Sequence, residues 1–161
     1  MPRHLLRMAV TLCLGALLAA CAAKPPKPVE AKTHITVSPD VNPDSTGRPS
    51  PIVVRVYQLR NDAEFNGADF FALYEHEKET LGASLILTKE FEFQPGEAQD
   101  LKLPLSPEAR FLGVVAAFRD IRTAKWRTIT AAPEKSLMDM LSKDRVSISV
   151  DKAAVALNIK D

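Results

Sequence analysis

Residues that carry chemistry are scarce in this chain of 161 residues, which has two cysteines, three histidines, two tyrosines and one tryptophan. No charge of one sign compensates for them. Lys plus Arg is 21 and Asp plus Glu is 20, a formal net charge of +1. That balance gives no attraction for a phosphate backbone, so no nucleic-acid partner is expected. There is no G-x-S-x-G elbow, no Walker loop, no G-x-G-x-x-G and no H-E-x-x-H, which removes the common signatures of hydrolases, nucleotide binders and zinc proteases. Six glycines and the absence of any repeated block exclude collagen, coiled coil and low-complexity disorder. The length is too small for two ordinary domains and excludes a large multi-domain enzyme. With 46% hydrophobic and 25% charged residues, the composition is that of one globular domain.

The first twenty residues differ from the rest. Arg3 and Arg7 precede an uncharged stretch from Met8 to Ala20. As a helix rising about 1.5 Å per residue it would span roughly 20 Å, short of the ~30 Å hydrocarbon core, so it reads as the apolar part of an export signal. It ends in Leu18-Ala19-Ala20-Cys21, which resembles a bacterial lipobox. Only a thiolate among these side chains is nucleophilic enough to form the thioether to a diacylglyceryl group, and small residues before it let a peptidase reach the backbone. Cys13 would leave with the signal and Cys21 would be consumed, so the mature chain keeps no free thiol and no disulfide. Two or more acyl chains, at about 0.8 kcal/mol per buried methylene, give stable attachment where one is marginal. Ala22 rather than Asp follows the cysteine, which resembles lipoproteins sorted to the outer membrane, facing the periplasm. The expected organisation is a signal peptide over 1–20, a lipidated Cys21 with a Pro-rich tether over 21–32, and a folded domain over 33–161.

From Thr33 the dominant period is two. Ile35 and Val37, then Ile52, Val54 and Val56, then Phe91 and Phe93, alternate with polar neighbours and predict half-buried strands. Leu101, Leu103 and Leu105 repeat the pattern after Pro95-Gly96, which predicts a hairpin with the Phe91 strand. Phe111 to Phe118 is almost continuously apolar, as expected of a central strand covered on both faces. Trp126 to Ala131 adds a strand. Val146, Ile148 and Val150 face Val155, Leu157 and Ile159 across a tight Asp151-Lys152 connection. Seven or eight strands of this kind predict an all-β antiparallel sandwich. Helical spacing of Phe70, Leu73, Tyr74 and Glu77 predicts a short helix over Ala68–Lys78, with Gly82 available to end the stretch beyond it. Pro133 opens a second, carrying Leu137, Met140 and Leu141. Between Val37 and Ile52 the prolines 39, 43, 49 and 51 and Gly47 cannot continue a ladder. A loop of that length is uncommon in a compact domain and is often functional.

No catalytic residue and no metal site is expected. His76 beside Glu75, Glu77 and Glu79 could ligate a metal, but neighbouring helical positions point apart, which favours a solvated charged face. His34 is far from it in sequence, and with no mature cysteine a Ser/His/Asp triad would need a long-range coincidence. Asp120, between Arg119 and Arg122, reads as an ion-paired turn residue. Trp126 with Arg127 could form a sugar-stacking platform, although a single aromatic is more commonly a core or cover residue.

Taken in order, the lipobox at Cys21, Val54-Arg-Val-Tyr-Gln-Leu59, Ala68-Asp-Phe-Phe-Ala-Leu-Tyr74, Pro95-Gly-Glu97 before a Leu-rich strand, and Arg110-Phe-Leu-Gly-Val-Val-Ala-Ala-Phe-Arg-Asp120 followed by Trp126-Arg127 resemble the outer-membrane lipoprotein family of type VI secretion systems, TssJ (VasD/Lip). The resemblance covers most of the mature chain and is weakest over 132–145. It implies a transthyretin-like β-sandwich with one or two short added helices, held by lipid on the periplasmic face of the outer membrane. It implies a non-enzymatic role without cofactor or small-molecule substrate: binding the periplasmic C-terminal region of TssM and, with TssL, completing the membrane complex. In the family a loop between the first two strands contacts TssM. The matching positions are Pro39, Asp40, Val41, Asn42, Pro43, Asp44, Ser45, Thr46, Gly47, Arg48, Pro49, Ser50 and Pro51, carried over as positions rather than as a motif. The alternative is a periplasmic glycan- or peptidoglycan-binding lipoprotein.

Overall fold

Strands with one apolar face must cover it. The computed structural model, which describes residues 29–133 and 145–160, does so by stacking two four-stranded sheets. The strands are β1 (Val29–Val37), β2 (Ile52–Leu59), β3 (Leu85–Phe93), β4 (Ala98–Leu105), β5 (Phe111–Ala116), β6 (Arg127–Ala131), β7 (Arg145–Val150) and β8 (Val155–Lys160). One sheet has the order β4-β1-β7-β8, the other β3-β2-β5-β6. All pairs are antiparallel except β1 with β7, which is parallel. Cys21, the leader expected before it, the residues up to Pro28 and the helix expected after Pro133 lie outside the described residues.

Ile35, Val54, Val56, Phe93, Leu103, Leu112, Val114, Val146 and Ile148 fill the space between the sheets. The apolar run of β5 has the expected cause. Leu112, Val114 and Ala116 face this core, while Val115 faces a second cluster on the other side of the sheet. That second cluster is built by the chain between β2 and β3, which forms α1 (Ala63–Gly67), α2 (Phe70–Glu75), α3 (Glu77–Leu81) and a 3-10 turn over Gly82–Ser84. Phe65, Phe70, Leu73 and Leu81 bury themselves against Tyr57, Leu59 and Val115, at roughly 1.5–3 kcal/mol for each large side chain. The ring of Phe65 lies on Gly113. A Cβ there would stand 2.8 Å from Phe65 Cζ, so the contact requires glycine. Arg127 fastens α1 to the sheet by donating from Nη1 to the carbonyls of Phe65 (2.9 Å) and Ala68 (2.6 Å). The hydroxyl of the buried Tyr57 donates to the Leu73 carbonyl at 3.1 Å, and burial pushes its phenol up to about 12. Gln58, 1% exposed, ties the sheets together: Nε2 donates to the Pro104 carbonyl at 2.7 Å and Oε1 accepts from Ser106 N at 2.8 Å.

Four expectations need correction. The Pro95-Gly96 turn does not close a hairpin, because β3 pairs with β2 and β4 with β1. It carries the chain from one sheet to the other, which an alternating pattern and a turn signal cannot distinguish from a hairpin. The ladder already includes residues 29–32, ahead of the expected start at Thr33, since Val29 to Thr36 pair with Leu105 to Ala98; the inward residue is small Ala31, which hid the alternation. The last four residues expected in the tether, 29–32, are therefore strand. The single helix over Ala68–Lys78 is two, broken at His76 (φ −126°, ψ 36°), with Asp69 capping the first through the amide of Ala72. The β7–β8 connection is closed from Asp151 N to Ala154 O (2.8 Å), wider than a two-residue turn.

Candidate functional site

β1 starts at Val29 and runs nine residues to Val37, so at roughly 3.3 Å per residue it separates two ends of the sandwich by about 26 Å. Antiparallel alternation then gathers the loops 38–51, 94–97, 117–126 and 151–154 at the end opposite Val29. They are hydrogen-bonded to one another. Ser38 N donates to Val150 O (2.8 Å), Gly96 N to Ser38 O (3.2 Å), Asn42 N to Lys152 O (3.0 Å) and Lys125 N to Ala153 O (2.9 Å).

The loop from Pro39 to Pro51 divides into a buried base and an exposed tip. Val41 is fully buried in the core between the sheets. Asn42, 4% exposed, adopts φ 50°, the left-handed conformation that asparagine tolerates better than most residues. Its side chain joins three segments: Nδ2 donates to Pro51 O (2.8 Å) and Oδ1 accepts from Arg119 N (2.7 Å). Ser50 is buried beside them and its N–H donates to Val41 O at 3.1 Å. Pro39 packs over Gly96, and Asp40 pairs with the Ser38 hydroxyl. Ser45, Thr46, Gly47, Arg48, Pro49 and Pro51 are exposed, and Pro43 and Asp44 are half-buried.

Asp44 organises the tip. Its Oδ1 accepts from Thr46 Oγ1 (2.7 Å), Thr46 N (2.9 Å) and Arg48 N (3.0 Å), and Oδ2 lies 3.2 Å from Arg48 Nε. The Thr46 hydroxyl first, then the amides of Arg48 and Thr46, lower its pKa from 3.8 to about 2. Gly47 N donates to Asp44 O and Asp44 N to Arg48 O, both at 2.9 Å. With Gly47 at φ 85° this makes a small closed turn of the Asp-x-x-Gly kind. That pattern was readable in Asp44-Ser45-Thr46-Gly47. The buttressing by Arg119 and Lys152 was not, because it is made through main-chain atoms of remote loops.

The other singled-out residues have structural partners. His34 Nδ1 is 2.7 Å from Asp100 Oδ1 on the solvent face of β1, 66 residues away in sequence. His76 is the junction of α2 and α3, with Nδ1 3.7 Å from Glu79 Oε2. Among the described residues no three His, Cys, Asp or Glu side chains are grouped to hold a metal. Asp120 accepts from Thr123 Oγ1 (2.9 Å) within its turn. Trp126 is half-buried, meets Phe70 edge-on at 5.4 Å and carries the Arg127 guanidinium 4.9 Å from its ring centroid. It is a cover residue of the helical cluster rather than an open stacking platform.

Residues 29–153 match a family model described as "Type VI secretion lipoprotein, VasD, EvfM, TssJ". Among solved structures, the type VI lipoprotein TssJ1 from Pseudomonas aeruginosa is similar at 30% identity and TM-score 0.75, over 83% of this chain and 98% of that one. Lip from Serratia marcescens, a membrane-bound component of the type VI secretion system, is similar at 29% identity and TM-score 0.72, over 83% and 99%. A chain in a structure of the TssM C-terminal domain from EAEC is similar at 26% identity and TM-score 0.62, over 81% and 98%. No curated protein matches by sequence.

Proposed function

We propose a function from one premise: the chain belongs to the type VI secretion lipoprotein family, VasD, EvfM and TssJ. That family consists of structural components of a secretion apparatus and not of enzymes. The chain acts as an assembly module of the membrane complex. Lipid on Cys21 holds the Val29 end to the periplasmic face of the outer membrane, and the opposite end presents the 39–51 loop to the periplasmic C-terminal region of a TssM partner, and through it to TssL. No cofactor is needed besides the covalent lipid.

The observation that carries this reading is the preformed loop tip. Its prolines and the Asp44 turn fix the backbone before contact, which reduces the ordering cost of association. The similar chain found in a TssM C-terminal domain structure supports the choice of partner. Replacing 44–48 with Gly/Ser, while keeping Val41, Asn42 and Ser50, is expected to preserve the fold and weaken binding of a periplasmic TssM fragment in calorimetry. Unchanged affinity would remove this loop as the contact. Cys21→Ser is expected to release the protein from membranes on fractionation, and continued sedimentation with the outer membrane would show that lipid is not the anchor.

A further inference from the structure

The register of the β4-β1-β7-β8 sheet places four basic residues side by side. Lys32 of β1 is opposite Lys102 of β4 and Arg145 of β7, and Arg145 is opposite Lys160 of β8. Neighbouring strands lie about 4.8 Å apart, so the four positions fall in a line roughly 15 Å long. Like charges directly opposite one another disfavour a pairing, and at Lys102 the Glu30 carboxylate offsets part of this. Lys32 and Lys102 are exposed on the outward face, away from the core. The two acidic side chains described on the same face are already matched, Glu30 Oε2 to Lys102 Nζ at 3.0 Å and Asp100 Oδ1 to His34 Nδ1 at 2.7 Å. The row is not a by-product of a basic protein. Removing Arg3 and Arg7 with residues 1–20 leaves 19 basic against 20 acidic residues, a net charge of −1.

Lys32 follows the first described residue, Val29, by three positions and precedes Val37 by five, Arg145 opens β7 and Lys160 closes β8, so the row lies in the half of the sheet nearer Val29 than the 39–51 loop. Cys21 precedes Val29 by eight residues, a reach of at most about 25 Å at ~3.1 Å per residue. We propose that the outward face of this sheet, at the positions of Lys102, Lys32, Arg145 and Lys160, lies against anionic phospholipid headgroups of the bilayer that carries the anchor. This rests on the reading of Cys21 as the acylated residue. The lipid chains set the distance, and the cation row sets which face turns down, leaving the loop end free at the edge of the contact.

The test uses the chain from residue 21 with Cys21→Ser, so that no acyl chain contributes, and co-sedimentation with vesicles. Vesicles one-third phosphatidylglycerol in phosphatidylethanolamine are expected to retain the protein at about 50 mM salt and to lose it at about 500 mM, and phosphatidylcholine vesicles are expected not to bind it. Lys32→Gln is expected to lower the partition coefficient about fivefold, and Lys32→Gln with Lys102→Gln about 25-fold. Arg122→Gln with Lys152→Gln, at the loop end, is expected to leave it unchanged. The proposal is overturned if the anionic vesicles do not retain the parent protein, or if the loop-end pair weakens retention as much as the row pair does. It is also overturned if the row variants leave vesicle binding intact but weaken capture of a TssM fragment or of a second copy, since the face would then serve a protein. Failure of the anchor is read separately, from fractionation of the acylated chain.

Discussion

Asn42 is the residue on which the loop base turns, and its substitution separates two contributions. Asn42→Ala removes the acceptor for Arg119 N–H and the donor for the Pro51 carbonyl, both part-buried. Each lost bond costs about 1–1.5 kcal/mol when its partner is left inside the loop base. Alanine must also hold φ 50°, which costs roughly 1 kcal/mol more for a residue with a Cβ. The expected loss is about 3–4 kcal/mol. Asn42→Gly loses the same two bonds and adopts the left-handed conformation freely, but adds about 0.5 kcal/mol for glycine's greater freedom in the unfolded chain, so it should be about 2.5–3.5 kcal/mol destabilising. Urea denaturation of the parent and both variants gives the ranking directly. Alanine more stable than glycine by about 0.5 kcal/mol or more would show that the backbone conformation contributes nothing. Both variants within about 0.5 kcal/mol of the parent would show that the loop base is not held by this side chain.

Gly113→Ala places a methyl 2.8 Å from Phe65 Cζ and 2.9 Å from Cε2, and should destabilise by about 1–3 kcal/mol as the ring is forced off the sheet. In a Phe65→Ala background the same change should be neutral or slightly stabilising, and an equal loss in both backgrounds by thermal denaturation would refute the contact. Asp44, whose pKa is lowered from 3.8 to about 2, stabilises the tip above its ordinary range, and that contribution is lost as pH falls from about 4 to about 2. Hydrogen exchange should therefore show the Thr46 and Arg48 amides losing protection over that interval, and already unprotected at neutral pH in Asp44→Ala. Protection that persists in the variant would assign the tip's order to its prolines alone.

What the sequence revealed was what local periodicity encodes. The sandwich, the central β5 and the β7–β8 pairing follow from alternation, since a strand buried on both faces reads as continuous apolar residues and one buried on a single face alternates. What stayed hidden depends on partners far along the chain. The Pro95-Gly96 turn has the same local chemistry whether the next strand pairs with β3 or crosses to β1. The role of Gly113 needs Phe65, which sits on a five-residue helix too short to show a period. The break at His76 has no proline or glycine to announce it, because α2 and α3 are held by packing of Leu73 and Leu81 rather than by propensity. In the candidate site the sequence marked the extent of the loop and the family resemblance supplied its proposed role. Neither divided Val41, Asn42 and Ser50, which face inward, from Asp44 to Pro49.

That division separates what the loop shows to solvent from what the fold requires. The base is held largely by main-chain groups, Asn42 N to Lys152 O and Ser50 N to Val41 O, and by one asparagine whose partners are also main-chain atoms. Such bonds persist whatever side chains stand at 45, 46 and 48. The tip is closed by its own short-range bonds from Asp44 and makes no demand on the core. Substitutions between 44 and 49 therefore alter the exposed surface of the loop without altering the sandwich, whereas substitutions at 41, 42 or 50 act on folding first. A tip exchange that lowers stability as much as Asn42→Ala would contradict this separation, because it would mean the exposed turn carries packing energy that the buried base does not.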